Sequence, residues 1–132
     1  MRILLDTNAY SALLRGHDEV AHRVRRAEQV VFSSVVAGEL LLGIRLGARL
    51  KKNMAELDAF LENPYVSVIP VTLTTADRFA RIAAALRAKG TPIPTNDIWI
   101  AAHAMEAGAE LLSFDAHFRT IDGLAWVALS PA

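Results

Sequence analysis

The 132-residue chain contains no cysteine. That absence excludes a disulfide scaffold, a thiolate zinc site and a cysteine nucleophile. It fits a reducing compartment. Proline and glycine are sparse, at five and seven residues. They are scattered as punctuation and form no linker or low-complexity tract. No apolar run approaches the ~20 residues of a membrane span. Met1-Arg2 leads straight into Ile3-Leu4-Leu5-Asp6, too short a run and too soon charged for a signal peptide. The expectation is a soluble cytoplasmic protein. An excess of either charge is also missing, because fourteen basic residues balance fourteen acidic ones. That argues against coating nucleic acid by bulk electrostatics.

Hydrophobic residues make up 53% and charged residues 21%. A packed core is therefore expected, in one domain over 1–132. The zero net charge hides an asymmetry. Residues 1–22 carry net −1, residues 23–52 net +5 and residues 53–132 net −4. A basic segment beside an acidic remainder permits a local polyanion contact, and it is equally compatible with a solvated helix face.

The hydrophobic period switches repeatedly between strand-like and helix-like. Ile3-Leu4-Leu5, Gln29 to Ser33, Tyr65 to Val71, Glu110 to Phe114 and Trp126 to Leu129 read as strands. Helices are expected over Thr7 to Leu14, Asp18 to Ala27, Ser34 to Leu46 and Ala48 to Leu61. Thr74-Thr75-Ala76-Asp77 has a capping-box pattern, opening a helix that Gly90 stops. Asn96 to Ala107 is a further helix, stopped by Gly108. This alternation argues for an α/β sandwich with a mostly parallel sheet. Such sheets place ligands at the carboxyl ends of their strands.

Four acids stand at those positions. Asp6 directly follows Ile3-Leu4-Leu5, and it is also a natural N-cap for the next helix. Glu39 has Val35, Val36, Leu42 and Gly43 as helical neighbours. It needs a metal, a cation or a helix-edge position that reaches water. Asp97 opens a helix, where the macrodipole alone would favour an acid. Asp115 follows Leu111-Leu112-Ser113-Phe114 and could simply cap a turn. Together, four carboxylates converging at one sheet edge would share protons or hold a cation. Oxygen ligation of that kind selects Mg2+ or Mn2+. The reaction class that follows is metal-assisted phosphodiester hydrolysis.

These motifs carry a family resemblance. Leu4-Leu5-Asp6-Thr7-Asn8, Ser33 to Leu40, Ile93 to Ala102, and Leu111 to Phe118 followed by Ile121-Asp122-Gly123-Leu124 occur in that order over almost the whole chain. The chain resembles the PIN-domain nucleases and, within them, the VapC-type toxins of toxin–antitoxin pairs. The resemblance implies a PIN-like three-layer sandwich, with a central sheet of about four or five strands flanked by helices. It implies a Mg2+- or Mn2+-dependent endoribonuclease with Asp6 and Asp97 as metal ligands. Glu39 and Asp115 would complete the acidic pocket. Thr7 and Asn8 match polar positions beside the metal. Ser113 stands where the family often has threonine, and its hydroxyl would orient a carboxylate or water. A small VapB-type antitoxin, an RNA substrate and a homodimer are the implied partners. A PIN nuclease that processes RNA without toxicity fits the same residues.

A receiver-like phosphotransfer protein is the alternative on an α/β scaffold. It would want an aspartate after the third strand, which instead ends in Ile69-Pro70. Arg45, Arg49 and Lys52 are candidates for the RNA backbone, and they share one helical face if the helix runs through Gly47. His17 and His22 read as surface residues, and His103 as facing away from Asp97. His117 is close enough to Asp115 to touch a phosphate. Trp99 and Trp126 read as core. Leu40, Leu41, Leu42, Ile44, Leu46 and Leu50 are too many for one core stripe, so a dimer seam or an antitoxin groove is expected there.

Overall fold

The structure, a computed structural model, describes residues 1–131. Twelve elements alternate along the described chain. They are β1 (Arg2–Leu5), α1 (Thr7–Leu14), α2 (Asp18–Arg26), β2 (Gln29–Ser33), α3 (Ser34–Leu46) and α4 (Leu50–Glu62). Then come β3 (Val66–Ile69), α5 (Leu73–Lys89), α6 (Thr95–Ala107), β4 (Glu110–Ser113), a 3-10 turn (Ala116–Thr120) and β5 (Trp126–Ala128). The five strands form one parallel sheet in the order β3-β2-β1-β4-β5. The expected sandwich is therefore present, with every strand pair parallel.

The sheet is covered on both faces, and the alternation of β1 shows how. Leu4 packs in one cluster with Val36 and Leu40 of α3, Ile82 and Leu86 of α5, and Ala101 of α6. Ile3 and Leu5 point the other way, onto Ala9 and Ala12 of α1 and Val20 of α2. β1 is central, hydrogen-bonded to β2 in register Leu4↔Val31 and to β4 in register Leu4↔Leu111. That position brings the ends of β1 and β4 side by side, although 107 residues separate Asp6 from Ser113. No helix among the described residues is long and apolar enough to cross a membrane.

Helix stops follow local chemistry. Gly90 and Gly108 take the left-handed conformation, with φ of 73° and 62°, where a side chain would be strained. One start differs from expectation. The capping box of α5 uses Thr72 and Thr75, not Thr74 and Asp77. Thr72-x-x-Thr75 and Thr74-x-x-Asp77 both place a hydroxyl three residues before a side-chain acceptor, and Thr75 is held inward by a 2.6 Å hydrogen bond to Glu106 of α6.

Candidate active site

The carboxyl edge of the sheet carries the four acids. Asp6 is buried just beyond β1. Its Oδ1 accepts the Ala9 N–H at 2.9 Å, so it does cap α1. Its Oδ2 accepts the Ser113 hydroxyl at 2.5 Å. Capping and site membership are thus the work of two oxygens of one side chain. Burial pushes the Asp6 pKa above the ordinary aspartate value, against the Ser113 and Ala9 hydrogen bonds and helped by the charges of Asp97 and Asp115.

Asp97 sits in the first turn of α6 and is partly buried. Its pKa is also raised, first by burial and then by the charges of Asp115 and Glu39, while His117 opposes the rise. Glu39 lies on α3 at the edge of the apolar stripe. Its Oε1 accepts the Thr7 hydroxyl at 2.6 Å and its Oε2 accepts the Asn96 amide at 3.3 Å. Asp115 follows β4 and caps the 3-10 turn, its Oδ1 accepting the His117 N–H at 2.9 Å. The Ser113 hydroxyl accepts the Asp115 N–H at 3.0 Å while donating to Asp6. One buried serine therefore positions two acids. Thr7 holds a third, and Asn8 is exposed.

His117 stands beside two of the four candidate acids. Its Nδ1 lies 3.1 Å from Asp115 Oδ1 and 3.4 Å from Asp97 Oδ2. The signal was the Asp-x-His spacing directly after a strand, in a turn that Phe118 anchors in the core.

The donor set fits a hard divalent cation. Among the described residues, no lysine or arginine forms an ion pair with Asp6, Glu39, Asp97 or Asp115. Two of these carboxylates are desolvated and repelled by the others. A bound cation would supply the charge that removes that repulsion. Asp97, Asp115 and His117 each offer a ligand atom, all within 4.8 Å of one another.

The three basic candidates do not share a helical face. α3 ends at Leu46, Gly47 leaves the helix at φ −90° and ψ 176°, and α4 begins at Leu50 with Arg49 as its N-cap. Arg45, Arg49 and Lys52 therefore lie on the end of one helix, a connection and the start of another. All three are exposed. A side chain at position 47 would press on the Gly43 carbonyl, 3.3 Å from its Cβ.

The apolar excess nearby is real. Leu40 and Ile44 are buried, whereas Leu42 is 61% and Leu46 79% exposed. A cleft of about 450 Å³ runs beside Glu39, lined by Tyr10 and Leu14 of α1, Ile44 of α3, and Lys52 and Glu56 of α4. The Tyr10 hydroxyl is buried there without a hydrogen-bond partner.

His103, read as facing away from Asp97, is fully buried. Its Nε2 lies 3.1 Å from the Pro70 carbonyl, which can only accept. Nε2 therefore carries the proton, and Nδ1 accepts from the Ser33 hydroxyl at 2.7 Å. The ring is neutral, its pKa pushed down by burial.

The chain is similar to known proteins over most of its length. Ribonuclease VapC2 of Haemophilus influenzae (strain ATCC 51907 / DSM 11121 / KW20 / Rd) is 30% identical over 115 residues, 86% of each chain. Ribonuclease VapC1 of Haemophilus influenzae (strain R2866) is 27% identical over 131 residues, 96% of each. The solved structure of VapBC2 from Rickettsia felis, bound to a DNA fragment from their promoter, superposes with a TM-score of 0.85. The sequences are 25% identical there, over 96% of this chain and 98% of that one. The PIN domain family model matches residues 3–124, a span that holds all four acids, and the chain belongs to the PIN domain family.

Proposed function

We propose that this chain is a divalent-metal-dependent endoribonuclease, the toxin of a type II toxin–antitoxin pair acting in the cytoplasm. The observation that carries the reading is the convergence of Asp6, Glu39, Asp97 and Asp115 at one sheet edge, with no lysine or arginine to neutralise them among the described residues. Relatives named as VapC ribonucleases and a VapBC complex of the same fold support it. A PIN nuclease without toxicity would use the same site, and the VapBC likeness favours the toxin.

Asp6 and Asp97 would hold the ion, with Asp115 and Glu39 beside it. When bound, Mg2+ or Mn2+ supplies Lewis acidity toward a phosphate oxygen and acidifies water. The chain supplies position. Ser113 and the Ala9 N–H lock the Asp6 carboxylate through both oxygens. Thr7 and Asn96 do the same for Glu39. Asp97 and Asp115 keep exposed edges, through which a phosphodiester would reach the site. Arg45, Arg49 and Lys52 would hold flanking phosphates as separate points along the strand. The cleft beside Glu39, with its unpartnered Tyr10 hydroxyl, would seat a segment of a VapB-type antitoxin. The exposed Leu42 and Leu46 would belong to the interface of a homodimer.

The purified chain, offered a panel of structured RNAs, tests the reading. Cleavage should stop in EDTA and return with Mg2+ or Mn2+. Cleavage that persists in EDTA, in protein also carrying Asp97→Asn, would falsify the metal-nuclease reading.

A further inference from the structure

His117 is placed by a rigid local turn. Its backbone N–H donates to Asp115 Oδ1 at 2.9 Å, its carbonyl accepts the Thr120 hydroxyl at 2.9 Å, and the next residue, Phe118, is 1% exposed. The imidazole is thereby held between the two acids, at 3.1 Å from Asp115 Oδ1 and 3.4 Å from Asp97 Oδ2. Those separations match a coordination polyhedron. Donor atoms at right angles around a six-coordinate ion, each ~2.1 Å from it, lie about 3.0 Å apart. The three donor atoms all lie within 4.8 Å of one another, so one carboxylate oxygen from Asp97, one from Asp115 and the ring nitrogen would form one face of such an octahedron once drawn onto an ion. The other histidines are elsewhere: His103 is bound to Ser33 and Pro70, and His17 bonds the Ser130 carbonyl.

Resting on the divalent-metal reading above, we propose that His117 is a direct ligand of the ion through Nδ1. The site is then a mixed nitrogen–oxygen one, which prefers first-row transition ions over Mg2+. A ring with its proton on Nε2 presents the Nδ1 lone pair to the ion. Imidazole suits borderline ions, whereas Mg2+ takes oxygen ligands and keeps its waters. His117 therefore adds affinity for Mn2+ and little for Mg2+. The competing arrangement is a protonated ring that donates to both carboxylates and never touches metal.

Mn2+ is the probe. Pulsed electron paramagnetic resonance of the full chain loaded with Mn2+ should show nitrogen-14 coupling to the ion. That coupling should vanish in His117→Ala and in His117→Gln, which keep bound Mn2+ at higher concentration. Titration should show Mn2+ affinity falling by at least ~10-fold in both variants, the loss that even an indirect ligand contact brings. Mg2+ affinity, read by competition, should change by less than about threefold, so the ratio of the two affinities moves. Circular dichroism checks that each variant is folded, and His22→Ala, exposed on α2 and outside the site, serves as control. Wild-type protein that binds Mn2+ without nitrogen coupling overturns the ligand role of His117 and leaves the metal-nuclease reading intact. Equal losses of Mn2+ and Mg2+ affinity in both variants also overturn it. Wild-type protein that binds neither ion, or that binds them unchanged when Asp97→Asn is introduced, removes the metal site itself.

Discussion

Two serines end two strands of the same parallel sheet, and their surroundings are opposite. Ser33 ends β2 and donates to neutral His103, which donates in turn to the Pro70 carbonyl. The same hydroxyl accepts from the Val35 and Val36 N–H groups and caps α3. Donors and acceptors are matched and no net charge is buried. Such a network stabilises the fold. Ser113 ends β4 and donates to Asp6, a buried acid facing other acids. There the hydrogen bonds are also matched, yet the charge is not. Matching hydrogen bonds is enough to bury a neutral polar group, whereas clustered carboxylates also need a counter-charge. The first serine sits in a neutral network and the second among carboxylates that no lysine or arginine pairs with among the described residues.

The largest effect should come from the charged side. Asp97→Asn is expected to reduce RNA cleavage by about 1,000-fold or more, since the metal's contribution is several kcal/mol. The metal-free variant should melt at the same temperature as wild type or higher, because one repulsive charge is gone. A large loss of thermal stability would move Asp97 to the structural class that Ser33 occupies.

Ser33→Ala should behave in the reverse manner. It removes a helix cap and leaves the buried His103 Nδ1 without a donor, a cost of about 2–4 kcal/mol. Denaturant unfolding measures it. Cleavage per folded molecule should stay near wild type, and a selective loss of activity with unchanged stability would blur the contrast.

The two regions should also respond to pH with opposite sign. Asp6 and Asp97 have folded pKa values above their unfolded ones. Their contribution is fully present below the ordinary aspartate value, about 3.9, and is lost as pH rises through the raised values. His103 has a folded pKa below its unfolded one, about 6.5. Its contribution is present above that value and is lost as pH falls through the lowered one. Melting temperatures in EDTA should therefore show that Asp97→Asn gains on wild type as pH rises out of the carboxylate range. A gain that is constant from acid to neutral pH would contradict the raised carboxylate. Added Mn2+ should remove the difference by neutralising the wild-type pocket.

The smallest effect belongs to the basic residues. If Arg45, Arg49 and Lys52 each hold one phosphate, every alanine should reduce the salt slope of RNA binding by roughly 0.7. Because they lie on separate segments, the losses should add singly rather than vanish together. A triple variant with an unchanged slope would assign them to solvent or to the antitoxin.

Local signals were legible where local energetics decide. α3 was read at Ser34–Leu46, because Ser33 caps it and Gly47 ends it. The stops at Gly90 and Gly108 were legible because a left-handed residue is strained for any side chain with a Cβ. The four acids were legible as candidates because Asp6 and Asp115 follow strands, Glu39 interrupts an apolar helix stripe and Asp97 opens a helix after a turn segment. The α5 start was misplaced by two residues because two threonine registers satisfy the same local rule. The shared face of Arg45, Arg49 and Lys52 failed because one glycine decides whether two helices are one.

The sequence by itself determined the elements, their alternation and the identity of the acids, since these rest on periodicity, caps and the cost of burying charge. Only the tertiary structure decided which strands are neighbours. By placing β1 between β2 and β4, it put Asp6 against Ser113, and Ser33 of β2 against His103. It also aimed His117 at Asp97 and Asp115. Those contacts join residues 20 to 107 positions apart, apart from the local Asp115–His117 pair. No local pattern encodes them, because they arise when the two faces of the sheet bury their apolar side chains at once.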